Sequence, residues 1–352
     1  MDYELRTTDV DFYRYPPIGS DDWRYTFQTA QVRVLELQML SQATLLDMAD
    51  AESFQIALGL LAASEYALLQ ASRSFTEIEN ILRARRSEVR ELFAILCIDE
   101  PIVELFKTRD DFANMRLAVR RTLTEKPLRN DYGDEGNVSP EVFKEVFEEE
   151  NYNLLPGYMA EAVERAVLAY YQNRDPALRE QKDIRQIDYA IDREQSEYNL
   201  KKARQLENVF LLGLFRIQID LTNIRTMLRL KFTESEYTEV FLEGGYIELE
   251  RLRNGLDMDY EALGSLFFVT PYCEIVQTGA GYLASDKSFL RVEQQCEEFL
   301  TGFLKTTIQI TAGPQPIIAY LLMKENEIRT VRLILTAKKN YLDTKLILDR
   351  IS

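Results

Sequence analysis

A six-residue pattern occurs three times along this chain, at a spacing that restricts the folds open to it. Asp111, Phe112, Ala113, Asn114, Met115 and Arg116 match Asp220, Leu221, Thr222, Asn223, Ile224 and Arg225. They match Glu327, Ile328, Arg329, Thr330, Val331 and Arg332 more loosely. The steps of 109 and 107 residues each approach one third of the 352 residues once an amino-terminal tail is set aside. Solenoid units are commonly ~20–50 residues long, so a linear stack of small repeats does not fit. Three homologous domains do.

On a helix the acid of each copy falls inside an apolar stripe. With ~100° per residue, the positions one, four, seven and eight residues later all lie within about 100° of it. They are Phe112, Met115, Ala118 and Val119; Leu221, Ile224, Met227 and Leu228; Ile328, Val331, Ile334 and Leu335. A carboxylate on a core face is unfavourable unless hydrogen-bonded or paired. Asp111, Asp220 and Glu327 are therefore expected to hold partners, here assigned to a preceding helix of the same domain, with Asn114 and Asn223 as companion structural residues. Arg116, Arg225 and Arg332 fall near ~140° on the same wheel, at the stripe's edge. They are the candidate domain-seam or partner contacts.

Only 14 Gly and 10 Pro punctuate the chain while 46% of residues are hydrophobic, a balance that favours long helices over turn-rich sheets. The fold class expected is all-α. Residues 1–24 read as an acidic irregular tail whose aromatics pack on the first domain. Helical patterns run through Tyr25 to Ala49, Ala51 to Leu61, Phe75 to Cys97 and Thr108 to Leu123, with a break at Pro101. The turn-rich segment 129–137, RNDYGDEGN, marks a boundary. Beyond it, helices are expected over Pro140 to Glu150, Pro156 to Asn173 and Asp183 to Phe232, the last bent at Gly213. The final two span Pro316 to Lys339 and Leu342 to Ile351. The domains so delimited are 25–128, 129–235 and 236–352.

Chemistry is constrained just as tightly. The chain has no histidine, which removes His-activated nucleophiles and His-ligated metals. Cys97, Cys273 and Cys296 form no CxxC pair, and no phosphate loop or dinucleotide fingerprint occurs. No catalytic residue, cofactor, metal or nucleotide site is expected. Lys plus Arg number 42 against 58 Asp plus Glu, a net charge of −16. That charge disfavours nucleic acid and anionic lipid as partners and favours a basic protein.

The segment GPQPIIAYLLMKENEIRTVRLILTAKK, Gly313 to Lys339, resembles the end of the C subunit of rotary V-type and archaeal A-type ATPases, named the d subunit in eukaryotes. Tyr25, Ala30, Val32, Arg33, Leu35 and Glu36 agree with it. So do Ile187 and Asp188, then Asp220, Asn223, Ile224 and Arg225, and then Phe241, Leu242, Gly244, Gly245, Tyr246 and Ile247. Thr330 departs from the Asn-like residue expected, and the tail and the 129–137 loop are not family features. The resemblance implies three similar helical domains arranged as a funnel with pseudo-threefold symmetry. It also implies a non-catalytic rotor part on the cytoplasmic face of the membrane, joining the central-shaft subunits of the ATPase head to the proteolipid ring for ion transport. The competing reading from the residues alone is a general helical scaffold or adaptor for a basic partner.

Overall fold

The computed structural model describes residues 12–72, 74–124, 132–149, 151–172, 184–234 and 240–351. The tail residues 1–11 and residues 129–131 of the expected boundary loop lie outside them. Among the described residues every regular element is a helix, and the all-α class holds. The α-helices are α1 Thr26–Glu36, α2 Gln42–Asp50, α3 Phe54–Gly59, α4 Phe75–Leu96, α5 Glu100–Leu123, α6 Pro140–Glu148, α7 Gly157–Gln172 and α8 Arg185–Gln205. They continue as α9 Val209–Phe232, α10 Leu249–Asp257, α11 Leu263–Leu266, α12 Cys273–Asp286, α13 Leu290–Lys305, α14 Pro314–Lys339 and α15 Thr344–Ile351.

The described residues form two compact units. One draws on Asp99–Thr226 and Glu236–Leu249, the other on Val10–Ile98, Met227–Ser235 and Glu250–Ser352. In the first, α5 packs on α6, α7 and α8, burying Phe112 and Met115 with Phe143, Val163 and Ile187. In the second, α14 packs on α1, α2, α3 and α4, helices that precede it by more than two hundred residues. The Ile317, Val331 and Ile334 side chains of α14 are buried there, as are Val32, Leu82 and Phe93. Apolar burial stabilises such pairs at roughly 25 cal/mol per Å².

Three helix breaks differ from the sequence expectation, each for a physical reason. The predicted helix over Tyr25 to Ala49 is split into α1 and α2 by residues Leu37 to Ser41, although no Gly or Pro lies there. The Ser41 hydroxyl accepts from the Thr44 N–H at 3.1 Å and caps α2, and Leu40 is held from outside, as described below. The long run expected to bend at Gly213 breaks instead at Leu206–Asn208. There Glu207 takes a left-handed φ of 50°, and the Asn208 side chain accepts from the Leu211 N–H at 2.9 Å. Pro101 does not end a helix but sits in the first turn of α5, where its missing N–H is no loss.

Candidate functional site: three acid-held loops

The three matching helices α5, α9 and α14 each aim their acid at a short loop that leads into a nine-residue helix. Asp111 is fully buried. It accepts from the Val138 N–H at 3.0 Å, from the Asn137 side chain at 2.9 Å and from the Tyr158 hydroxyl at 3.1 Å. Asp220, equally buried, accepts from the Tyr246 N–H at 2.9 Å and the Ile247 N–H at 3.0 Å. Glu327 accepts from the Leu40 N–H at 2.6 Å. Val138, Ile247 and Leu40 each stand two residues before a helix of equal length, α6, α10 and α2. The acids thus satisfy N–H groups at helix entrances, where a negative charge also complements the helix dipole.

The first two clasps share further parts. Asn114 exchanges two hydrogen bonds with the backbone of Gly133, at 2.8 and 2.9 Å. Asn223 does the same with Leu242, at 2.8 Å in both directions. A Cβ at Gly136 would overlap the Asp111 carboxylate, and one at Gly245 would overlap that of Asp220, so glycine lets the loop backbone come this close. The segment YGDEGNV, 132–138, is therefore the counterpart of FLEGGYI, 241–247. This places the loop that the sequence left outside any family pattern. Both acids take their partners from chain that follows the motif, correcting the expectation of a preceding helix. The N–H groups in need of an acceptor are those that open the next helix.

The third clasp departs from the other two. Thr330 donates to the Asn326 carbonyl of its own helix and makes no two-way amide bond. Glu327 instead gathers a polar network: the Tyr66 hydroxyl donates to it at 2.7 Å and Lys324 Nζ at 2.6 Å. Lys324 is fully buried and also contacts Glu65 at 2.6 Å, which Arg85 reaches at 2.6 Å. Burial, then the Glu327 charge, pushes the Tyr66 hydroxyl far above its usual range, so it remains a donor. Burial opposes ionisation of Glu65, yet the Lys324 and Arg85 contacts outweigh it and hold that carboxyl below its ordinary value.

The arginines are at matching positions with different surroundings. Arg116 pairs with Asp192 of α8 and Arg120 with Asp188. Arg332 Nε donates to Glu79 of α4 at 2.9 Å while its side chain stays 59% exposed. Arg225 is half-buried on α9. Among the described residues no group of three or more Cys, Asp or Glu side chains is arranged to hold a metal ion.

The family model described as ATP synthase (C/AC39) subunit matches residues 28–350. The chain is 23% identical over 325 residues to the V-type ATP synthase C subunit of Thermus thermophilus, covering 92% of this chain and 95% of the relative. It is 23% identical over 322 residues to the V-type sodium ATPase C subunit of Enterococcus hirae, covering 91% and 95%. It is 24% identical over 330 residues to the A-type ATP synthase C subunit of Thermococcus onnurineus, covering 89% and 86%.

Proposed function

Because this chain belongs to the ATP synthase (C/AC39) subunit family, we propose that it is a non-catalytic subunit in the central rotor of a V-type or A-type ATPase. In this reading it is a socket that holds the central shaft of the soluble head and seats on the membrane proteolipid ring. The observation that carries it is the order of the clasps. Each matching helix serves a loop and a nine-residue helix. For α14 that loop and helix are supplied by residues 37–50, near the start of the sequence. A linear array leaves its last member unmatched, whereas a set whose last helix is completed by its first residues closes on itself. We read this as a funnel of three similar domains, 25–128, 129–235 and 236–352 apart from exchanged helices, related by rotations near about 120°.

A ring-shaped partner calls for a surface repeated by rotation. In each third, the stretch between the nine-residue helix and the next long helix (α4, α7 and α12) carries an exposed apolar side chain: Leu68 at 71%, Leu154 at 50% and Phe268 at 79%. We assign these side chains to the ring. The net charge of −16 suits a basic shaft foot and a salt-sensitive association. Arg116, Arg225 and Arg332 are the proposed domain-seam or partner contacts. Exposed pairs such as Arg332 with Glu79 contribute little to the fold, so exchanging such a carboxylate for a partner's is inexpensive. No helix among the described residues is long and apolar enough to cross a membrane, so membrane attachment in this reading runs through the partners at the cytoplasmic face.

The test is depletion of this chain from the assembled ATPase of its own source. ATP hydrolysis by the head is expected to persist while ATP-driven ion transport is lost and then restored by adding the chain back. Ion transport that continues at the parental rate without it would refute the reading.

A further inference from the structure

The family match begins at residue 28, yet residues 15–22, which precede it, are fastened to the last third of the sequence. We propose that α13 carries a slot shaped for one aromatic side chain, and that segment 12–22 of this chain occupies it as a strap across the junction between α13 and α14.

The Tyr15 ring lies 5.1 Å from that of Phe299 and 6.1 Å from that of Phe303, both on α13. Tyr272 closes the other side of Phe299 at 5.0 Å. The floor of the slot is Gly302, inside α13, where a Cβ would overlap the Tyr15 hydroxyl. A glycine inside a helix is destabilising relative to alanine, so its presence at the one point where the tyrosine enters is accounted for by the occupant. Arg14 and Tyr15 also wall one side of a cavity of about 350 Å³.

Beyond the slot, the strap hydrogen-bonds to the turn before α14 and to its first turn. Gln315, buried in the first turn of α14, donates its side-chain N–H groups to the carbonyls of Ile18 at 3.1 Å and Ser20 at 3.2 Å. Asp21 accepts from the Thr311 and Ala312 N–H groups at 2.7 and 3.2 Å. The Asp22 N–H donates to the Ala312 carbonyl at 2.7 Å. Gly19, at φ 84°, turns the segment between these contacts. A buried amide such as that of Gln315 is unfavourable without partners, and here the strap supplies two. Tyr15 of the tail therefore packs on the last third of the sequence, not on the first domain, while Tyr13 and Trp23 are exposed.

The test is hydrogen exchange at the Thr311 and Ala312 amides of the full chain. Tyr15→Ala and Gly302→Ala are each expected to speed that exchange about tenfold. The double variant should go no further than either one, because both changes empty the same slot. Gly302→Ala improves helix propensity, so its far-UV circular dichroism and the exchange of the α5 amides stay parental and separate slot loss from unfolding. A chain starting at residue 24 should bind a labelled peptide of residues 11–23 saturably, and its Gly302→Ala form should not. Unchanged exchange in either single variant, additive effects in the double, or peptide binding indifferent to Gly302→Ala would each overturn the proposal.

Discussion

Replacing Glu327 by glutamine removes one negative charge and no volume, so its effect isolates the electrostatics of the third clasp. In the native arrangement one oxygen receives Lys324 at 2.6 Å and Tyr66 at 2.7 Å, and the other receives the Leu40 N–H at 2.6 Å. A glutamine has one carbonyl oxygen and an NH₂ group, which can only donate. It must therefore leave either the Leu40 N–H or the Lys324–Tyr66 side facing a donor. An unsatisfied buried donor costs about 1–3 kcal/mol, and breaking a buried ion pair by removing one partner costs roughly 3–5 kcal/mol. Lys324 keeps Glu65 at 2.6 Å, which places the pair contribution at the lower end. We expect a loss of about 4–5 kcal/mol in urea unfolding at constant m-value. Lys324→Met in the same background removes the charge left short of a partner. The double variant should then be more stable than the sum of the single losses by about 2 kcal/mol. A loss below about 1 kcal/mol for Glu327→Gln, or additive losses, would refute the assignment of Glu327 as the acceptor that holds Lys324 and Leu40 together.

Gly136→Ala and Gly245→Ala should each destabilise by about 1–3 kcal/mol because the new Cβ meets a buried carboxylate. Gly281→Ala on α12, with nothing within 4 Å of a new Cβ, should stabilise by about 0.5–1 kcal/mol, and the three midpoints can be compared in one urea series. Replacing Arg116, Arg225 and Arg332 together with alanine should leave helicity intact by circular dichroism while weakening co-purification with shaft or ring proteins; parental assembly and coupling would assign these side chains to the fold alone. Glu65 has a folded pKa below its unfolded value, so its stabilisation is present above the unfolded value and is lost as pH falls through the folded one. Glu65→Gln should accordingly be less stable than the parent at pH 7, and the gap in thermal midpoint should narrow as pH falls from about 5 to about 3.

The sequence disclosed whatever depends on local pattern or on recurrence. The start of α4 at Phe75 and the end of α14 at Lys339 follow from apolar periodicity. The three acids stood out because a carboxylate inside an apolar stripe needs a reason. What stayed hidden was contact at a distance. The break at Leu37 to Ser41 has no turn residue before Ser41; it exists because Glu327, 287 positions later, takes the Leu40 N–H. The 129–137 loop looked foreign because its residues differ from those of 241–247. The legible signal was offset, since Val138 and Ile247 each follow their acid by 27 positions. Charge partners of Arg116 and Arg332 were equally out of reach, because surface pairing depends on which helices meet.

The packing of α14 against α1 to α4 sets a schedule for biosynthesis. When a ribosome has released Leu96, Lys339 is still 243 codons away, roughly 10–50 s of elongation at ~5–20 residues per second. Through that interval Val32, Leu82, Val89 and Phe93, all buried in the finished protein, have no α14 to cover them. The residues made first thus reach their final partners last, and a nascent chain halted between α5 and α13 should be the form that ribosome-bound chaperones hold longest.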